Sequence, residues 1–159
     1  MDRGVLAKAE TMAQRTILTE AEAAFIDAQR VARLATADAE GNPHVIPVCY
    51  AFDGERFYTP LDEKPKRVTA RQLRRVRNIE TRPEVALVID QYDDDWSRLG
   101  YVLVQGRAEL LQPEHVLHGR ALLLLRERYP QYRTMALEKY AVIAITPEHV
   151  VTWGPAISK

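Results

Sequence analysis

The sequence predicts a mainly β protein, a closed or half-closed antiparallel barrel with a few flanking helices. About six short stretches have the apolar, β-branched character of strands, and tight-turn signals join the first three into a meander. Many short strands on tight turns favour closure, because a closed sheet leaves few unpaired edges. The 159 residues show no internal repeat and no dividing linker, so residues 18–159 are expected to form one domain behind a loosely held lead-in, residues 1–17.

The first helix opens at Leu18-Thr19-Glu20-Ala21-Glu22, where Thr19 can cap and Glu22 can reach back to it as a capping box. It runs to about Ala28 and buries Phe25 and Ile26. Strand character takes over from Val31 to Thr36. The turn Glu40-Gly41-Asn42-Pro43 leads into an apolar run from His44 to Phe52, broken only by Pro47. Asp53-Gly54 signals a two-residue hairpin, since both positions tolerate positive φ, and Arg56 to Leu61 returns as a strand. Val68, Leu73, Val76 and Ile79 have helical spacing, which predicts a helix from Val68 to Glu80 that Pro83 ends. Two strands follow, Glu84 to Tyr92 and Tyr101 to Leu111, flanking the acidic loop DQYDDDWSRLG that contains Trp96. Pro113 and Glu114 open a helix through LHGRALLLLRERY, stopped by Pro130. A last strand runs from Ala141 to Ile145 and on through Val150 to Trp153.

Bulk properties exclude several function classes. With 22 basic and 22 acidic residues the chain carries no net charge, so it is not a nucleic-acid-coating protein. Neither a signal-peptide core nor an 18-residue apolar run is present, which predicts a soluble cytoplasmic protein with no membrane partner. Cys49 is the single cysteine, so no internal disulfide and no all-cysteine metal site can form. It reads as a small core residue. His115 and His118 stand three apart on a helix without a carboxylate-rich partner, and Asp93, Asp94 and Asp95 read as a solvated loop. No metal site is expected. There is no GxGxxG and no P-loop.

One segment departs from this even distribution. From Lys64 to Arg77, seven of fourteen residues are Lys or Arg and none is acidic, where even spreading of 22 would place about two. A solvated helix face is the plain reading. Lys64, Lys66 and Arg67, however, lie where a strand leads into the first turn of a helix. Helix N–H groups and their partial positive charge add to the cations there, a combination suited to a phosphate. Thr59 adds a hydroxyl on the same edge.

The order RVARLATAD, GNPHVIPVCYAF, FYTPLDEKPKR and LRRVRNIETRPEVALVIDQYDDDW resembles the split-barrel flavoproteins of the pyridoxamine 5′-phosphate oxidase-like superfamily. Within it the resemblance is nearest to the deazaflavin (coenzyme F-420) oxidoreductases. It covers about residues 18 to 155 and rests on KPK after the third strand, RNI before the fourth and DDDW after it. The resemblance implies a homodimer of six-stranded split barrels with cofactors at the interface. It implies Lys64, Lys66 and Arg67 on the cofactor phosphate, with Arg71, Arg74 and Arg75 further along. Backbone at Pro47, Val48, Cys49, Tyr58, Thr59 and Pro60 would form the ring platform, with Trp96 reaching across the interface. The expected function is hydride transfer between reduced coenzyme F-420 and a small unsaturated or conjugated molecule. FMN in an oxidase or flavin reductase, or a non-catalytic barrel holding a flavin, haem or tetrapyrrole, are the alternatives. Such cofactors carry the chemistry themselves, which fits a sequence with an anion site and no acid–base triad. No catalytic residue is assigned. Tyr50, Tyr58 and His44 are unranked candidates for a proton donor.

Overall fold

The computed structural model describes residues 15–62 and 73–157. Seven antiparallel strands form one sheet: β1 (Ala32–Ala37), β2 (Pro43–Val48), β3 (Ala51–Phe52), β4 (Phe57–Pro60), β5 (Glu84–Gln91), β6 (Gly100–Leu111) and β7 (Val142–Trp153). Three α-helices accompany them among the described residues: α1 (Glu20–Ala28), α2 (Arg74–Thr81) and α3 (His118–Arg128). Short 3-10 turns cover Trp96–Arg98, Pro130–Thr134 and Leu137–Lys139.

The strand order is β2-β1-β5-β6-β7-β4-β3, so β2 and β3 are the two edges of the sheet. Only Cys49 and Tyr50 separate them in the chain. Three residue steps reach at most about 11 Å, so the sheet must curl until its edges nearly meet. This is the expected half-closed barrel, with seven strands in place of six. The extra strand arises because the apolar run from His44 to Phe52 is not continuous: the chain leaves one edge after Val48 and joins the opposite edge at Ala51. Pro47 fits within β2 because an edge strand can spare its N–H.

The split is closed by side chains. Tyr129 is buried, and its hydroxyl accepts from the Tyr50 N–H at 3.1 Å. The same hydroxyl faces the Arg30 and Tyr50 carbonyls at 2.9 and 3.1 Å, and its proton can go to either. The Tyr50 hydroxyl donates to the Ile26 carbonyl, which ties the seam to α1. Arg128 donates to Asp27 and to the Gln29 carbonyl, and its guanidinium lies 5.0 Å from the Tyr50 ring centre.

Two apolar clusters fill the fold. One lies inside the barrel around Leu34, Phe57, Leu87, Val102, Ile143 and Ile145, with Phe25 and Ile26 of α1 and Val76 and Ile79 of α2 packed into it. The other lies outside β4 and β7, where Ala121, Leu122 and Leu125 of α3 cover Tyr58, Leu111, Val142 and Ala144. Residues 142 to 145 of β7 are therefore buried on both faces, which explains their unbroken apolar sequence. A register shift between Gln105 and Gly106 bends β6 against β7. A side chain at Gly106 would put its Cβ 2.3 Å from the Thr146 carbonyl oxygen.

Local signals fare unevenly. The Thr19–Glu22 capping box forms, with N–H to side-chain oxygen distances of 3.2 and 2.9 Å. The hairpin after β3 centres one residue later than the Asp53-Gly54 signal implies. Asp53 N–H donates to the Arg56 carbonyl, Gly54 alone takes positive φ (99°), and the Asp53 carboxylate accepts from the Glu55 and Arg56 N–H groups. Helix α3 begins at His118 rather than at Pro113, because a turn precedes it in which the His115 ring accepts from the Leu117 N–H. The predicted helix from Val68 is described from Arg74 onward. Buried Asn78 of its RNI motif donates to Thr36 on β1 at 2.9 Å, which fixes α2 to the barrel.

A cleft at the split of the barrel

Where the edges of the sheet fail to pair, a cleft of about 440 Å³ opens. Ile46, Pro47, Val48 and Cys49 form one side, Thr59 and Pro60 the other, with Val31, Asp62, Arg75 and Tyr132 completing it. The topology makes this cleft unavoidable. β4 extends two residues beyond its last pairing with β3, at Tyr58, so its edge facing β2 is open at Thr59 and Pro60. The volume lies within the range of about 300–1,000 Å³ usual for ligand sites.

Five of the expected platform residues, Pro47, Val48, Cys49, Thr59 and Pro60, line this one cleft. Tyr58 does not. Alternation along β4 turns its side chain into the cluster under α3, where its hydroxyl donates to Asp53 at 2.7 Å. Burial, and next the Asp53 carboxylate, push that hydroxyl up to about 12. The Tyr50 hydroxyl is likewise held at the seam, and burial raises it further still. Neither tyrosine is among the residues lining the cleft. His44 is on the same side of β2 as Ile46 and Val48, half-buried, with Nδ1 enclosed and unpartnered among the described residues. Burial, then the Arg74 and Arg75 charges, hold its imidazole below the ordinary value.

Cys49 sits in the two-residue link and is half-buried, not inside a strand in the core. Its thiol is hydrogen-bonded with the Tyr132 hydroxyl, and burial followed by this contact raises the tyrosine. Arg75, at the start of α2, brings a guanidinium to the cleft. Burial lowers its affinity for a proton against the opposing pull of Asp62 and Tyr132, and its Nε is enclosed without a hydrogen-bond partner among the described residues. Tyr132, Asp62 and Val31 carry no local sequence signal for this role. They arrive from the 3-10 turn after α3, the end of β4 and the end of α1.

Lys64, Lys66, Arg67 and Arg71 lie outside the described residues. The residues on either side of that segment, Asp62 and Arg75, both line the cleft. Trp96 is 72% exposed on its 3-10 turn and lines no part of the cleft within this chain. The acidic loop folds on itself: Asp93 accepts from the Asp95 N–H, Asp95 caps Ser97, and Arg98 pairs with both carboxylates at 3.7 Å. His118 is buried against the Tyr140 carbonyl at 2.8 Å.

A curled antiparallel sheet with a ligand-sized cleft at its open seam defines a split barrel. The chain belongs to the pyridoxamine 5′-phosphate oxidase family, whose sequence profile matches residues 18–154. A 5a,11a-dehydrotetracycline/5a,11a-dehydrooxytetracycline reductase from Streptomyces rimosus is 31% identical over 142 residues, covering 86% of this chain and 82% of the relative. A conserved hypothetical protein from Mycobacterium tuberculosis superposes with a TM-score of 0.69 at 25% identity, over 89% of each chain. An F-420 reductase has a TM-score of 0.61 at 22% identity, over 84% of this chain and 98% of its own. No helix among the described residues is long and apolar enough to cross a membrane.

Proposed function

We propose that the protein is an oxidoreductase that uses reduced coenzyme F-420 to reduce a small unsaturated or conjugated organic molecule. The observation that carries this reading is the enclosed Arg75 guanidinium in a mostly apolar cleft. In the sequence, Asp62 and Arg75 bracket Lys64, Lys66, Arg67 and Arg71, and both line that cleft. A flat ring against Pro47–Cys49 and Thr59–Pro60 with its anionic end toward these cations satisfies both features. The enclosed Nε of Arg75, without a partner among the described residues, is a donor suited to an acceptor of that sort. Coenzyme F-420 presents a phosphodiester and several carboxylates, which suits the number of cations better than the single phosphate of FMN. The dehydrotetracycline reductase among its relatives supports reduction of an unsaturated substrate.

The bound coenzyme would supply the hydride. The chain's own contribution is to bind and orient it. Open backbone at Thr59 and Pro60 would hold the ring, Val48 and Ile46 would exclude water from it, and Arg75 with Lys64, Lys66 and Arg67 would hold the phosphate.

A homodimer belongs to the same reading. The pairing register aligns Pro47, Arg33, Val88, Leu103 and Val151 in one row across five strands on the outer face of the sheet, with Tyr101 and Trp153 stacked nearby at 6.0 Å. Val45 on this face is 59% exposed and Trp153 53%. A second copy seated there would cover the exposed Val45 and Trp153 beside the Arg33–Asp90 ion pair.

Titrating the apo-protein with coenzyme F-420 and with FMN, followed by ligand fluorescence, tests the reading. Micromolar binding of coenzyme F-420 is expected, and each of Lys64→Ala, Lys66→Ala and Arg75→Ala should cost about 1.5–3 kcal/mol of affinity. Tighter binding of FMN would move the protein to the flavin branch. Binding of neither, or unchanged affinity in all three variants, would return the cations to a solvated surface.

A further inference from the structure

Beside the cleft lies a second cavity of about 580 Å³, and the two share Val31, Cys49 and Tyr132 as a common wall. Its remaining lining includes Arg30, Arg128, Tyr129, Gln131 and Met135, drawn from the end of α1 and from the connection between α3 and β7. The tyrosine rings stand edge to face, 5.5 Å apart, and with Val31 and Met135 they make a mostly apolar interior.

The two arginines have different duties. Arg128 is a wall: its side chain is 14% exposed, its terminal nitrogens donate to Asp27 and to the carbonyls of Asp27 and Gln29, and its Nε is enclosed without a hydrogen-bond partner among the described residues. Arg30 is exposed, donates once to the Arg128 carbonyl, and pairs with no carboxylate among the described residues. Its guanidinium lies 5.8 Å from the Tyr129 ring centre, so one positive charge stands at the mouth of an aromatic chamber.

We propose that this cavity binds the second reactant, the electron acceptor, and that the acceptor is a flat, largely apolar molecule bearing an acidic oxygen that Arg30 holds. The proposal rests on the oxidoreductase reading. Transfer between two bound molecules requires them to be in contact, and a chamber separated from the cleft only by Val31, Cys49 and Tyr132 sets an occupant against whatever fills the cleft. Aromatic and aliphatic walls select a flat apolar body. The exposed Arg30 guanidinium, which donates to the Arg128 carbonyl and pairs with no carboxylate among the described residues, selects an enolate, phenolate or carboxylate at its rim.

Two probes that differ only by a sulfonate test this on the full chain: 1-anilinonaphthalene-8-sulfonate and the uncharged N-phenyl-1-naphthylamine. Both are expected to bind with and without saturating coenzyme. Gln131→Trp, which fills the cavity from an exposed lining position, should weaken both probes about tenfold or more. Arg30→Gln should weaken the sulfonate probe about tenfold and leave the neutral one within about twofold. Coenzyme affinity should stay within about twofold in both variants. Displacement of the probes by coenzyme, indifference of both probes to Gln131→Trp, or equal effects of Arg30→Gln on the two would overturn the proposal. If neither coenzyme F-420 nor FMN binds while the probe results hold, the oxidoreductase reading fails and the cavity stands as a ligand site for this chemical class.

Discussion

Replacing Tyr129 by Phe removes one oxygen from the seam and leaves the ring in place. That oxygen is the acceptor for the Tyr50 N–H, and Tyr50 is 1% exposed, so water cannot take its place without opening the barrel. A buried N–H left unsatisfied costs about 1–3 kcal/mol. The Arg30 and Tyr50 carbonyls lose a shared donor as well, but a carbonyl tolerates a missing partner better than an N–H does. Packing terms nearly cancel, because the Phe ring retains the contacts with Tyr132 and Arg128. For a domain of this size each kcal/mol lowers Tm by about 2–4 °C, so the expected loss is about 2–12 °C. Thermal and urea unfolding measure it, with an unchanged urea m-value indicating that the denatured state is unaffected. Tyr92→Phe, at a position 73% exposed, is the matched control. If Tyr129→Phe falls within about 0.5 kcal/mol of that control, the hydroxyl does not hold the seam and the account of barrel closure is wrong.

Other perturbations test separate parts of the structure. Gly154→Ala should destabilise by about 2–4 kcal/mol in urea unfolding, since its φ is 118° and a Cβ would stand 2.3 Å from the Leu99 carbonyl oxygen. Asp53→Ala removes the acceptor of the buried Tyr58 hydroxyl and of two turn N–H groups, with an expected loss of about 1–3 kcal/mol in urea unfolding at neutral pH. Burial alone would raise the Glu22 carboxyl, but the Arg15 guanidinium at 2.7 Å and the Thr19 N–H hold it below its usual 4.5. Its contribution is therefore complete above that value and is lost as pH falls through the lower, folded one, so Tm of the wild type should decline below pH 4.5 more steeply than that of Glu22→Gln. Val151→Asp, on the half-exposed outer row of β7, should yield monomers in size-exclusion chromatography if that face joins two copies, and should leave the monomer folded.

Elements governed by local chemistry were legible in the sequence. The capping box of α1 and the strands β5, β6 and β7 follow from adjacent residues and come out within a residue or two. The break between β2 and β3 did not, because Val48 and Ala51 look alike in sequence and differ only in which edge of the sheet they join. The site divides in the same way. Pro47, Val48, Cys49, Thr59 and Pro60 sit on the two strands that the resemblance points to, and they meet at the cleft. Tyr58 shares that strand yet faces away, since neighbours on a strand take opposite faces. Tyr132 reaches the cleft from more than seventy residues downstream of Pro60, and no periodicity could announce it.

The two-residue link between β2 and β3 also governs how the chain must assemble during synthesis. The hairpins β1–β2 and β3–β4 are adjacent in sequence but do not pair with each other. β1 finds its other neighbour in β5, and β4 finds its neighbour only in β7, which ends at Trp153. An emerging chain therefore holds two tethered half-sheets with open inner faces until β7 has left the ribosome. Such late, non-local closure predicts slow folding and little tolerance of truncation within β7.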